Sequence, residues 1–394
     1  VAAGDVIVGA AVDQDVALSN LPGRPPRCDW ERLLDAADSD AILVARHGWD
    51  DTRADVLRRL VQAGRPVLVA FPPTLSMLWA FEIEMIRADT GCVIVPYLPG
   101  RLHPFIGRLR SEVESCLAGT SPLGAADAIS LERPLADQSR ASVLEAFAVD
   151  ADLLRLLAGE PSRLATIGGR LDGSALAALT VECGGSMQIP SRWQSMRAIA
   201  GRSSARLSLV AERGSIVVEM PPVAASIGGP VPVEWTITRE GVTERLAFTP
   251  AVRMLDVLRR SGDRQGPSEA ATWPDAARLV ELAETIPRSI SRARAIDLHQ
   301  EEFSELGTFK GTMASLGCAL VLAALMILLV ATLVAGLARE SGWEFGERVA
   351  AAWPFLVLGT LAIFLLLQLL PFLIGSQRGK ESAQRRSETD QTSH

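Results

Sequence analysis

Several patterns that usually reveal a protein's chemistry are missing from this 394-residue chain. Its five cysteines, Cys28, Cys92, Cys116, Cys183 and Cys318, show no C-x-x-C spacing and are odd in number, which excludes a disulfide framework or a zinc ribbon and fits reduced thiols. No basic stripe interrupts a formal net charge of −7, which argues against nucleic acid as a partner. Histidine is scarce and scattered, at His47, His103, His299 and His394. His47 with Asp50 and Asp51 comes nearest to a ligand set, and with no second cluster elsewhere a metal is not expected. No export signal precedes the first apolar run, Val6 to Val12. A G-x-G-x-x-G turn, whose amides would hold a pyrophosphate at a helix N-terminus, is absent as well.

What is present is organised around DAILVARHGWDDTRADVLRRLVQAGRPVLVAFPP, Asp40 to Pro73. Ala41 to Ala45 and Val67 to Phe71 are apolar at every position, as strands buried on both faces of a parallel sheet are. Between them Val56, Leu57, Leu60 and Val61 share a helical face, and Gly64 stops the helix. In an open sheet such a βαβ unit binds ligands at the carboxyl ends of its strands, which singles out Arg46 and His47 after the first strand and Pro72 and Pro73 after the second.

Ahead of this unit, VIVGAAV ends in Asp13. In a dinucleotide-binding fold the acid closing the second strand accepts hydrogen bonds from ribose hydroxyls, which makes Asp13 the expected ribose ligand. Since the first strand and its glycine turn are not seen, two readings stand: a dinucleotide fold truncated at its N-terminus, or a fold that binds no dinucleotide. A short helix is expected at Glu31 to Ala37. Ser76 to Ala88 reads as a helix with Leu78, Phe81, Met85 and Ile86 inward, and CVIVPY, Cys92 to Tyr97, as another buried strand. Residues 1–118 thus form an expected doubly wound α/β, Rossmann-like domain.

Residues 119–300 read as an α+β domain. It has a helix at Ser142 to Leu157 and strands at Leu164 to Ile167, Ala175 to Cys183, Ser186 to Pro190, Ala205 to Ala211, Ser215 to Glu219, Val233 to Arg239 and Thr243 to Phe248. Turn signals at Glu212 to Gly214 and at Glu240 with Gly241 make the sheet mainly antiparallel. A last helix is expected at Asp275 to Ile286, followed by Arg288, Arg292 and Arg294.

No charged residue occurs from Gly311 to Ala338 or from Val349 to Gln377. Each run exceeds the roughly 20 residues a helix needs to cross a bilayer core. Two transmembrane helices, 312–338 and 349–375, are expected, with a loop from Arg339 to Arg348 and a disordered basic tail, 376–394. Arg378, Lys380, Arg385 and Arg386 in the tail, against two arginines in the loop, place both termini and the soluble region in the cytoplasm by the positive-inside rule, at an inner or plasma membrane.

The order of segments resembles the Gfo/Idh/MocA oxidoreductase family. The resemblance rests on VGAAVD near the start, the DAILVA strand, QAGRPVLVAFPP, VPYLPGRLHP and DADLLRLLAGEP, and it covers roughly residues 5 to 295. It implies a Rossmann domain followed by an α/β domain with an open antiparallel sheet, NAD or NADP as cofactor, and a sugar or cyclitol as ligand. It also implies a nucleotide contact at Asp13, Arg46, His47, Phe71 and Pro72, and a substrate cleft lined by Arg101, His103 and Asp152. The antiparallel sheet is then an expected homo-oligomer face. In the family a lysine in an E-K-P motif and an aspartate and histidine on the later helix move protons. Here Ala70 and Phe71 stand at the E-K positions; aligning Asp152 with the helix aspartate puts Val149 at the histidine and Glu145 at the catalytic aspartate. Phenylalanine and valine carry no exchangeable proton, leaving Glu145 as the one titratable relay position. Two functions follow from the resemblance: a membrane-anchored, nicotinamide-dependent oxidoreductase, or a catalytically inactive relative serving as a nucleotide- or sugar-binding scaffold.

Overall fold

A computed structural model describes residues 10, 26–35, 39–45, 49–169, 175–176, 178–185, 187, 189–199, 203–222, 232–262 and 270–298, with 326, 329, 330, 332, 333 and 336. The chain divides into two units, Val1–Gln300 and Glu301–His394. In the second unit the six described residues are helical, and Met326, Leu329, Val330 and Leu333 are exposed. Among the described residues no helix is long and apolar enough to cross a membrane; the two expected spans fall almost wholly outside them.

The first unit opens with a three-stranded parallel sheet built from β1 (Ile42–Val44), β2 (Val67–Ala70) and β3 (Ile94–Tyr97), in that order. Helix α1 (Asp51–Gln62) crosses from β1 to β2. Asp50 caps it by accepting from the Arg53 N–H at 2.8 Å, and Ala54, Leu57, Leu60 and Val61 are buried. The expected βαβ unit is therefore present. The expected first strand, Val6 to Val12, lies outside the described residues except Ala10, which bridges Arg27. The short helix expected at Glu31 to Ala37 is present as a 3-10 helix, Trp30–Leu34, and Ala36 and Ala37 lie outside the described residues.

Helix α2 (Met77–Thr90) sits where expected but is rotated. It buries Trp79, Ala80 and Ile83, whereas Leu78 is 82% and Met85 63% exposed. Leu78 and Trp79 are neighbours about 100° apart on the helix, so only one can face the core. The indole has more apolar area to remove from water, which brings the Trp79, Ile83, Ile86 stripe inward.

Helix α3 (Pro104–Leu117) leads to β4 (Ala126–Leu135), the middle strand of a nine-stranded sheet. Helix α4 (Arg140–Ala158) follows, then β5 (Pro161–Ile167), β6 (Thr180–Gly185), β7 (Pro190–Arg197), β8 (Ala205–Ala211), β9 (Gly214–Met220), β10 (Val233–Arg239) and β11 (Val242–Phe248). Helices α5 (Pro250–Gly262) and α6 (Trp273–Arg292) and the short β12 (Ile296–Asp297) complete the unit. The sheet order is β11-β10-β9-β8-β4-β7-β6-β5-β12, with every pair antiparallel except β4 and β7. The parallel pair makes the sheet mixed.

Five elements escape the sequence reading: α3, β4, β7, α5 and the short β12. The middle strand β4 carries Glu132, Arg133 and Pro134 and so looks like a loop, yet Ile129, Leu131 and Arg133 alternate into the core. Pro134 is tolerated because the ladder to β8 ends at Glu132, before the position where its missing N–H would be felt on that side. In place of a strand at Ser186 to Pro190, β7 begins at Pro190 and buries Ser191, Trp193 and Ser195. Helix α5 returns to the small sheet, where Met254, Val257 and Leu258 pack on Leu68 and Val95. Residues beyond 118 thus cover one face of the first sheet.

Candidate ligand crevice

The carboxyl ends of β2 and β3 meet the middle of α4 and the start of α6. After β2 the chain passes through Phe71 and a cis peptide bond to Pro72, and the Phe71 ring is 4% exposed. After β3 a 3-10 turn, Pro99–Leu102, lies against α4, close enough that a Cβ on Gly100 would touch Leu153 at 3.5 Å. This turn presents Arg101.

Positions 145, 149 and 152 fall on one face of α4, four and three residues apart. Asp152 receives a bidentate hydrogen bond from the Arg101 guanidinium, Nε to Oδ2 at 2.9 Å and Nη2 to Oδ1. The two side chains are 9% and 2% exposed. Arg101 also reaches Asp275 at 3.7 Å, and Arg155 approaches Asp275 at 3.4 Å and Glu160 at 2.6 Å. Arg278 then joins Glu160 at 2.7 Å and also meets Glu281. The result is a chain of ion pairs that ties the turn after β3 to α4 and α6.

Burial pushes the Asp152 carboxyl up, with the Arg101 and Arg155 charges opposing it. Burial also works against charge on Arg101, but the Asp152 and Asp275 carboxylates outweigh it and raise the guanidinium above its ordinary value. At Asp275 burial is outweighed by the Thr272 N–H and by Arg101 and Arg155, which hold the carboxyl below the usual range. Thr272 and Asp275 form a reciprocal capping box at the start of α6. Next to it Trp273 donates its indole N–H to the Ala80 carbonyl at 3.0 Å and meets Trp79 edge-on at 5.9 Å; Trp79 meets Trp49 at 5.2 Å. Three tryptophans from the starts of α1, α2 and α6 therefore pack together. The sequence offers no spacing that would signal this group.

His103 is not in the crevice. It caps α3, its Nδ1 accepting from the Phe105 N–H at 3.1 Å, and it is 1% exposed. Its ring stacks on Trp235 at 4.2 Å and 10° and contacts Phe105 and Phe248. Burial lowers its pKa to about 4, so it is a neutral aromatic in the core. A cap facing inward overrides the expected role in a substrate cleft. Arg101 and Asp152 do meet, as partners of each other. Glu145 is half-buried on α4. Asp13, Arg46 and His47 lie outside the described residues.

A second buried pair went unnoticed in the sequence. Arg133 of β4 donates to Asp150 of α4, Nε to Oδ2 at 2.8 Å and Nη2 to Oδ1, and the Trp193 indole N–H donates to the same Oδ2 at 2.8 Å. Among the described residues no group of three His, Cys, Asp or Glu side chains is placed to hold a metal ion.

A small parallel α/β sheet is joined to a large open mixed sheet, and the crevice lies at the carboxyl ends of the small one, where ligands bind in open α/β sheets. No family model matches the chain, and no curated protein matches its sequence. Solved structures do match. A protein from Sinorhizobium meliloti assigned as a myo-inositol dehydrogenase superposes with a TM-score of 0.57 at 16% identity, over 75% of this chain and 92% of that one. One from Desulfitobacterium hafniense assigned as an NADPH-dependent oxidoreductase gives 0.60 at 10% identity, over 74% and 90%. An Agrobacterium radiobacter oxidoreductase in complex with NAD+, L-tartaric acid and magnesium gives 0.52 at 11%, over 69% and 84%. Over about three quarters of its length the chain shares its fold with these oxidoreductases.

Proposed function

We propose that this chain is a membrane-anchored protein that retains the nicotinamide-nucleotide shape of these oxidoreductases, takes a small polar ligand of the sugar or cyclitol class, and does not transfer hydride. The observation that carries this reading is the filling of the two relay positions. Phe71 is buried at the end of β2, and Val149 is packed against the core on the α4 face it shares with Glu145 and Asp152. Neither can take or give a proton. Asp152 and Arg101, two of the charges in the family-like motifs, are bound to each other. A nucleotide would lie along the carboxyl ends of β1 to β3, near Phe71 and Pro72, with Asp13, Arg46 and His47 as further contacts, and it would supply the redox chemistry of a working relative.

Titration of the full chain in detergent with NADH and NADPH tests this. Energy transfer from tryptophan to the reduced nicotinamide is expected on binding, with no turnover over a panel of sugars and cyclitols. Turnover that is abolished by Glu145→Gln would establish the oxidoreductase reading instead. Failure of either nucleotide to bind would leave only the scaffold.

The uncharged runs 311–338 and 349–377 support two spans, with the soluble region and both termini cytoplasmic. Cysteine labelling of the Arg339 to Arg348 loop is expected from the outer face; labelling from the cytoplasm alone would overturn the topology. The open face of the nine-stranded sheet is the proposed homo-oligomer face, to be checked by light scattering of the detergent-solubilised chain.

A further inference from the structure

One end of the large sheet is basic in a chain whose net charge is −7. β4 and β7 are parallel, and β5 is reached from β7 through two antiparallel steps, so β4, β5 and β7 end on the same side. Arg197 closes β7 there opposite Leu135, and Arg140 opens α4 just beyond β4. The carboxyl end of α6 arrives at the same place with Arg288, Arg292 and Arg294. Thr166 of β5 bonds Ser289 at 2.9 Å, Ser289 donates to the Arg294 carbonyl at 2.9 Å, and Gln138 donates to the Leu135 and Met196 carbonyls at 3.0 and 3.1 Å.

All five arginines are exposed. Arg288 lies 3.5 Å from Glu284; among the described residues the other four make no ion pair. Among the described residues Asp137 also lies nearby, and it is engaged by the Ser139 and Ser142 hydroxyls. On the same rim Ile167 is 58% and Ile199 63% exposed. The open face of the sheet differs: there Arg192 meets Glu182 at 2.9 Å and Arg245 meets Glu234 at 3.5 Å, so its charges cancel across strands.

We propose that this rim docks on an anionic phospholipid surface, with guanidinium groups on headgroup phosphates and the two isoleucines at the acyl boundary. The proposal rests on the anchored reading above. The occupant is indicated by the length of chain that follows. From Leu298 to the first uncharged run at Gly311 the connection spans at most about 45 Å even when fully extended, which keeps any bilayer entered at Gly311 within reach. Arg140, Arg197, Arg292 and Arg294, which make no ion pair among the described residues, together with the exposed isoleucines match the negative potential and apolar margin of a cytoplasmic leaflet.

The test uses the full chain in nanodiscs of phosphatidylcholine alone and of phosphatidylcholine with phosphatidylglycerol, read by hydrogen exchange. Slower exchange is expected in peptides spanning 137–143, 164–169, 195–199 and 288–295, only in the anionic discs, and it should be lost in high salt. The triple variant R288Q/R292Q/R294Q, checked for fold by circular dichroism, should lose that protection, because each arginine contributes about a fivefold preference for the anionic surface. Equal exchange in the two lipids, in a chain that alkaline carbonate cannot strip from membranes, would overturn the docking surface and leave the anchor standing. If carbonate strips the chain, the anchor falls; co-sedimentation with phosphatidylglycerol vesicles then decides the surface, binding supporting it and absence of binding overturning it.

Discussion

Asp150 and Asp152 stand two residues apart on α4, each bound bidentately by an arginine, and yet they serve different parts of the molecule. Two residues along a helix turn the side chain by about 200°, so Asp150 faces the large sheet and Asp152 faces the turn after β3. The Asp150 pair lies at the contact of one helix with one sheet, between β4, α4 and β7, and both oxygens of the carboxylate are used by Arg133 and Trp193. The Asp152 pair joins elements that carry the crevice, and it extends through Asp275 and Arg155 to side chains with solvent contact. One buried pair fixes the core of a sheet; the other holds two sheets' worth of structure around a site.

That contrast can be broken most severely at Asp150. Asp150→Ala leaves Arg133 charged and unpaired in the core and should cost about 3–5 kcal/mol, seen as a large fall in thermal midpoint with cooperative loss of the whole first unit. Asp152→Ala should cost less, about 2–3 kcal/mol, because Asp275 stays near Arg101. Its signature is local, with faster hydrogen exchange in the Pro99–Leu102 turn and at the start of α6. If the two variants unfold alike, the division between core pair and crevice pair is wrong.

A smaller effect is expected from His103. Its folded pKa of about 4 lies below the roughly 6.5 of an unfolded histidine, so the unfolded chain binds the extra proton between those values. Stability from this residue is complete above about pH 6.5 and is lost as pH falls toward 4. The thermal midpoint should drop between pH 7 and pH 5, and His103→Phe should flatten that part of the profile; an unchanged slope would place the imidazole in water. The smallest effect is expected on α2, where Leu78→Gln should change stability by no more than about 0.5 kcal/mol, whereas Trp79→Ala should cost about 3–5 kcal/mol. Equal losses at the two positions would mean that the helix faces the other way.

Much of the architecture was legible because periodicity reports burial directly. β8 and β10 occupy the expected Ala205 to Ala211 and Val233 to Arg239, and the βαβ unit stands where its apolar runs lie. β4 was illegible because Arg133 in a strand looks polar until a partner 17 residues away neutralises it. The rotation of α2 was illegible because the helix is apolar on more than one side, and the choice of face belongs to the neighbours. Of the candidate site, the pairing of Arg101 with Asp152 could not be seen from residues 51 positions apart, and His103 was misplaced because a capping side chain and a cleft side chain look the same in one dimension.

By itself the sequence determined much of the local order of strands and helices, the apolar character of Phe71 and Val149 and the uncharged runs at the carboxyl end, since each of these is a property of neighbours along the chain. Only the tertiary structure decided which charges are consumed by partners, which face of each helix is buried and which arginines of the rim lack an ion pair among the described residues. Those outcomes depend on groups brought together from distant parts of the chain, where burial raises the cost of any charge or donor left alone.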